Sequence, residues 1–238
     1  MTRRRRVERL LGVAAVAAAA VAGWLGLVVA PPDAVQGQAQ RLLYVHVPAA
    51  WVAYVAFAWV LIASVGYLIR RDLAWDRRAQ AGAELGVGLT ALTIVLGSLW
   101  ARPIWGVWWT WDARLVTTVV LLLSYVGYAG VRGLSTDPHR NARRAAAVGI
   151  LAFVNVPVVH FSVLWWRTLH QPPTVLQPAS PPMDPAMLTA LFGGIVAFSL
   201  AGMWVGLRRV RMLASAAPVA AAAPTRSEPI RVEAGGRR

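Results

Sequence analysis

Six runs of about twenty mainly apolar residues dominate this chain and leave little between them from which a water-soluble domain could be built. By hydropathy they fall at roughly 10–30, 47–69, 82–100, 113–131, 145–164 and 186–207. With 58% of its residues hydrophobic and only 14% charged, against roughly 25% charged in an average soluble protein, the chain cannot hide its apolar side chains inside one globule. Its natural solvent is a bilayer, where a helix satisfies every backbone donor and acceptor within itself. The fold class read from the sequence is therefore all-α: a polytopic integral membrane protein with six transmembrane helices. Residues 1–211 form the membrane domain. The Ala/Pro/Arg-rich stretch 212–238 lacks an apolar period and is expected to be a disordered cytoplasmic tail.

The net charge of +14 would suit nucleic acid, but its distribution does not. All 24 basic residues are Arg, set in short bursts between the apolar runs rather than along one face. Twenty of them lie before the first run, after the second and fourth runs, or beyond Leu207, which leaves Arg41, Arg102, Arg114 and Arg167 for the other side. The positive-inside rule then puts both termini in the cytoplasm, the parity that six crossings require. The stretch Arg3–Ala30 has the charged start of a signal peptide, and Val28–Ala30 would pass as a cleavage site. Its apolar core is nevertheless longer than the usual 7–15 residues or so, and the span is expected to be retained. The absence of cysteine excludes disulfides, a thiolate nucleophile and thiolate-bound metal.

With this topology the unusual side chains gather in three outer loops, roughly 31–46, 101–112 and 165–185. The first carries Arg41 and ends Tyr44-Val45-His46-Val47-Pro48. Proline suits a first helical turn, so His46 is expected at the head of the second span, where the helix dipole disfavours imidazolium. The second loop holds five of the chain's 12 Trp, at 100, 105, 108, 109 and 111. Trp105, Trp108, Trp109 and Asp112 follow an i, i+3, i+4, i+7 rule, which predicts a short interfacial Trp-rich helix between helices 3 and 4. Asp112 and Arg114 could pair with each other. The third loop starts at the end of span five, where Pro157 should bend the helix and Asn155 could satisfy freed backbone groups. His160 is expected there at the depth of His46, and His170 is expected to be an exposed loop residue.

Two neutral imidazoles at matched depth on different helices can supply both axial positions of a haem iron. An indole shelf offers area to the porphyrin face, and outer arginines can pair with its propionates. A b-type cytochrome subunit is the competing reading, but such proteins place paired His deeper in the bundle. A transporter or ABC permease is another, although the cytoplasmic loops offer little docking surface for an ATPase. With no nucleotide motif or catalytic triad visible, the chain reads as a binding and transfer platform rather than an enzyme.

At these residues the sequence resembles the cytochrome c-type biogenesis protein C family, also called haem exporter protein C or CcmC. The likeness covers about residues 35–207 and is carried by three motifs in order. These are His46-Val-Pro-Ala-Ala, the "WWD" segment Trp105-Gly-Val-Trp108-Trp109-Thr-Trp111-Asp112-Ala-Arg114 within 100–114, and Val159-His160-Phe-Ser-Val-Leu-Trp165-Trp166-Arg-Thr-Leu-His170-Gln. Leu164, where some relatives carry an acidic residue, and Val116, in place of a polar one, depart from the pattern. The resemblance implies a bacterial inner-membrane protein with its site facing the periplasm. It would hold haem b, non-covalently and in transit, and present it to the haem chaperone CcmE, alongside CcmD and the CcmAB ABC transporter. Carried over by position, the iron ligands are His46 and His160. The shelf is Trp105, Trp108, Trp109, Trp111 and Asp112, and Arg41 and Arg114 face the propionates.

Overall fold

The computed structural model describes residues 3–170 and 183–222. Among these, seven α-helices form the six spans: α1 Arg3–Trp24, α2 Leu43–Arg70, α3 Leu73–Trp105, α4 Ala113–Val131, α5 Pro138–Phe153, α6 Asn155–Trp165 and α7 Pro185–Ala222. Each span is long and apolar enough to cross a bilayer, α5 and α6 together making the fifth, so the chain is a multi-pass membrane protein. The apolar period underestimates the helices where polar residues begin them. α3 starts at Leu73, well before residue 82, because Asp72 caps it by accepting the Ala74 N–H at 2.7 Å. α7 runs through 212 to Ala222, and the rest of the expected disordered tail lies outside the described residues.

The joints follow from single residues. Asp112 and Asp137 cap α4 and α5 through the Leu115 and His139 N–H groups. The fifth span breaks at Val154, between α5 and α6. Pro157 has no N–H for the Phe153 carbonyl four residues back and its ring crowds that oxygen. Asn155 instead reaches across to α4, donating to the Thr117 carbonyl at 2.8 Å. Pro48 lies further along α2 than a first turn, since the helix already begins at Leu43.

α2 is the central helix, packed on α3, α5 and α7, while α1 lies along α7. Small residues on α3, among them Ala79 and Ala83, let it approach α2 closely. Phe57 of α2 stacks on Tyr125 of α4 with ring centroids 3.9 Å apart, and Val60, Leu121 and Val159 complete this core. Toward the Arg-rich loops the core closes with a largely buried ion pair. Arg132 donates to the Asp76 carboxylate from both terminal nitrogens and also to Gln80 and Tyr128. The opposite end of the bundle, where α3 and α6 finish, holds Trp105 and Trp165 and the tryptophans that follow them.

Candidate functional site

No helix forms between α3 and α4, contrary to the expected short interfacial helix. α3 carries Trp105 as its last residue, and Gly106 then takes a left-handed conformation with φ 77°. Residues 106–112 continue without helical structure until Asp112, in extended conformation, starts α4. Glycine meets such a φ without strain and terminates a helix readily, so the i, i+3, i+4, i+7 face never forms. Its members are dispersed: Trp105 and Trp108 face a cavity, Trp109 turns inward against Trp111, and Trp111 is 84% exposed.

That cavity opens between α2, α3, α4 and α6, with about 740 Å³ of space free of protein atoms, open solvent included. α2 contributes His46, Ala50, Ala53 and Tyr54, an i, i+4, i+7, i+8 set on one helix face. α3 contributes Thr90, Thr93, Gly97, Ser98 and Trp105. α4 supplies Arg114, Leu115, Thr118 and Leu121, while Val159, Trp108 and His170 close the remaining sides. The Thr90, Thr93 and Thr118 hydroxyls donate to carbonyls of their own helices. The lining is therefore mainly apolar, with two imidazoles and one guanidinium.

His46 is seated mainly by packing, with the Thr93 backbone beside its ring. Its ring meets Trp100 edge to face at 5.8 Å. It also lies so close to α3 that a Cβ on Gly97 would come within 3.0 Å of its Cε1. Its Nδ1 is buried with no hydrogen-bond partner. Trp100 in turn donates through Nε1 to Gln36 at 3.0 Å, which ties the folded loop after α1 to this wall.

His170 is not the exposed loop residue that its sequence position suggests. Its Nδ1 lies 3.0 Å from Asp112 Oδ2, its ring meets Trp105 edge to face at 5.0 Å, and its side chain is only 20% exposed. Burial lowers its imidazole below the ordinary value of 6.5, and the Asp112 carboxylate offsets only part of that, which leaves the ring neutral at pH 7. Burial alone would raise the Asp112 carboxyl, but the Leu115 N–H, His170 and Thr168 together hold it below the usual carboxylate value.

His160, the expected partner of His46, does not line this cavity. It sits on α6 with its ring edge to face with Tyr54 at 6.3 Å and Phe161 at 5.0 Å, and its backbone carbonyl accepts from Arg114 Nη2 at 2.9 Å. Pairing between Asp112 and Arg114 does not occur: the carboxylate serves His170, while Arg114 Nε is buried without a partner at the cavity wall. Arg41 is likewise directed elsewhere, donating to the Gly26 carbonyl and to Gln38. The cavity thus unites His46, Trp105, Trp108 and Arg114 of the expected set, adds His170, and leaves out His160, Arg41, Trp109, Trp111 and Asp112. One signal in the sequence pointed to what was missed: a glycine inside an apolar run, here Gly97, marks a close approach; nothing local to His170 announces its carboxylate partner.

Comparison with known proteins adds an independent line. The family model described as "Heme exporter protein C" matches residues 1–222. A protein named heme exporter protein C from Bradyrhizobium diazoefficiens is 38% identical over 182 residues, covering 76% of this chain and 69% of that protein. The protein of the same name from Escherichia coli strain K12 is 37% identical over 193 residues, 80% of this chain and 77% of its own length. A putative cytochrome c biosynthesis ccmC-like mitochondrial protein from Marchantia polymorpha is 36% identical over 159 residues, covering 66% of this chain and 67% of that protein.

Proposed function

The chain belongs to the heme exporter protein C family, and from that premise we propose that it handles haem for cytochrome c maturation, binding it in the cavity at the tryptophan-rich end of the bundle. The observation that carries this reading is the meeting of two imidazoles from separate segments, His46 and His170, on one apolar cavity. Imidazole pairs of this kind are suited to the two axial positions of a haem iron. The donor set fits the group: the His46 and His170 imidazoles and the Arg114 guanidinium line the cavity, and Arg114 Nε is a buried polar atom without a hydrogen-bond partner.

In this reading His46 and His170 are the iron ligands, and His160 packs beside the site without entering it. Trp105 and Trp108 provide the surface for the porphyrin, while the exposed Trp111 belongs to the face turned toward a protein acceptor. Arg114 is the cation available to a propionate, because Arg41 is already committed to the Gly26 carbonyl. The protein contributes binding, orientation and a water-poor wall; haem is cargo, and the covalent chemistry of cytochrome maturation belongs to partners. The arginine distribution supports an inner-membrane arrangement with both termini in the cytoplasm and the haem site on the periplasmic side. The acceptor there is the chaperone CcmE, and CcmD and the CcmAB transporter complete the assembly.

Protein extracted in detergent should carry a Soret band, and acid–acetone should remove the pigment as haem b. A colourless protein that stays colourless on haemin titration, or one whose pigment resists extraction, contradicts the proposal.

A further inference from the structure

Asp112 closes the tryptophan-rich motif, yet it does not face the cavity. Its side chain is 9% exposed and its oxygens are all engaged. Oδ1 accepts the Leu115 N–H at 3.0 Å, and Oδ2 accepts from both His170 Nδ1 and Thr168 Oγ1 at 3.0 Å. The Thr168 hydroxyl oxygen also accepts the His170 backbone N–H at 3.1 Å, so the turn carrying the histidine is held as well as its ring. An ionised carboxylate can only accept. Its contact with His170 therefore puts the proton on Nδ1 and leaves Nε2 as the nitrogen with a free lone pair. No carboxylate stands behind His46: its Nδ1 is buried without a close hydrogen-bond partner, and Gly97, Trp100 and the Thr93 backbone seat the ring.

Resting on the haem reading of this cavity, we propose that the two imidazoles are built unequally. Asp112, helped by Thr168, is a positioning residue that fixes His170 as the permanent ligand through Nε2, and His46 is the ligand that gives way when haem is passed on. A carboxylate hydrogen-bonded to the far nitrogen orients a histidine ligand and raises its basicity, which strengthens the bond His170 makes. At His46 the only such partner is the uncharged Thr93 backbone, which orients and polarises an imidazole less than a carboxylate does. In the exchange one iron–nitrogen bond breaks at His46 and one forms to an incoming lone-pair donor, with no change in the iron's oxidation state.

The test uses the haem-loaded full-length protein, with cyanide as the incoming donor and apomyoglobin as haem scavenger. Asp112→Asn is the informative variant because Asn caps a helix as well as Asp does, which preserves the Leu115 bond while removing the charge. It should release haem about 10–100-fold faster and raise the haem reduction potential, since a weaker donor favours the ferrous state. Thr168→Val should move both readouts the same way by less. His46→Ala should keep its haem and bind cyanide at least about tenfold faster, whereas His170→Ala should lose haem to the scavenger. Wild-type release and potential in both Asp112→Asn and Thr168→Val would overturn the positioning role, and a His170→Ala protein that keeps haem while His46→Ala loses it would overturn the asymmetry. If instead the wild-type chain takes up no haem, it is the haem reading that fails, and this inference falls with it.

Discussion

At the scale of single residues the site depends on what is missing as much as on what is present. Gly97 has no side chain, and a Cβ there would stand 3.0 Å from His46 Cε1, closer than nearly all real contacts. Gly97→Ala should shift the imidazole by a few tenths of an ångström and weaken haem binding several-fold, and Gly97→Val should abolish it while the helices still form. Haemin titration followed at the Soret band, with circular dichroism as the fold control, checks this; full haem affinity in Gly97→Val would remove the close-packed seat from the account. His46 was legible in the sequence because a histidine beside proline at the head of an apolar run is conspicuous. His170 was not, because its burial comes from a carboxylate 58 residues away, and a loop position carries no period from which such a partner can be read. The pairing of His46 with His160 rested on equal depth along two helices. Depth says nothing about the direction of a ring, and His160 turns its ring to Tyr54 and Phe161.

At the scale of elements, hydropathy located every span, and the errors fall where a backbone joint or a polar side chain decides. One left-handed glycine, Gly106, replaced an expected helix by a loop, and Asp72 lengthened α3 into a stretch too polar to count as apolar. The ion pair between Asp76 on α3 and Arg132 at the end of α4 is another such device, since it clamps the two helices at the end opposite the cavity. Removing one partner of a buried pair typically costs about 3–5 kcal/mol, whereas replacing both by apolar residues is often neutral. Asp76→Asn should therefore lower the thermal midpoint in detergent sharply, and the double variant Asp76→Leu with Arg132→Met should recover most of it. A double variant as unstable as the single one would mean that the pair specifies more than the α3–α4 contact.

At the scale of the whole molecule, the charge asymmetry of the sequence predicts the bundle's orientation and, with it, the side on which the proposed site would meet haem. The chain contains no cysteine, which makes it a ready background for accessibility labelling. Val35 is 94% exposed in the loop after α1, and Thr136 is exposed in the loop between α4 and α5. With both termini in the cytoplasm, a membrane-impermeant maleimide should label Val35→Cys in intact cells and Thr136→Cys only after permeabilisation. The reverse pattern would turn the site toward the cytoplasm and separate it from a periplasmic acceptor.

The central claim is that His46 and His170 share one haem while His160 stands aside. Absorption and electron paramagnetic resonance spectra of the detergent-extracted protein test it directly when His46→Ala, His160→Ala and His170→Ala are compared with the wild-type chain. The account predicts a bis-imidazole spectrum that survives in His160→Ala and is lost in each of the other two. A spectrum that vanishes in His160→Ala but persists in His170→Ala would contradict it.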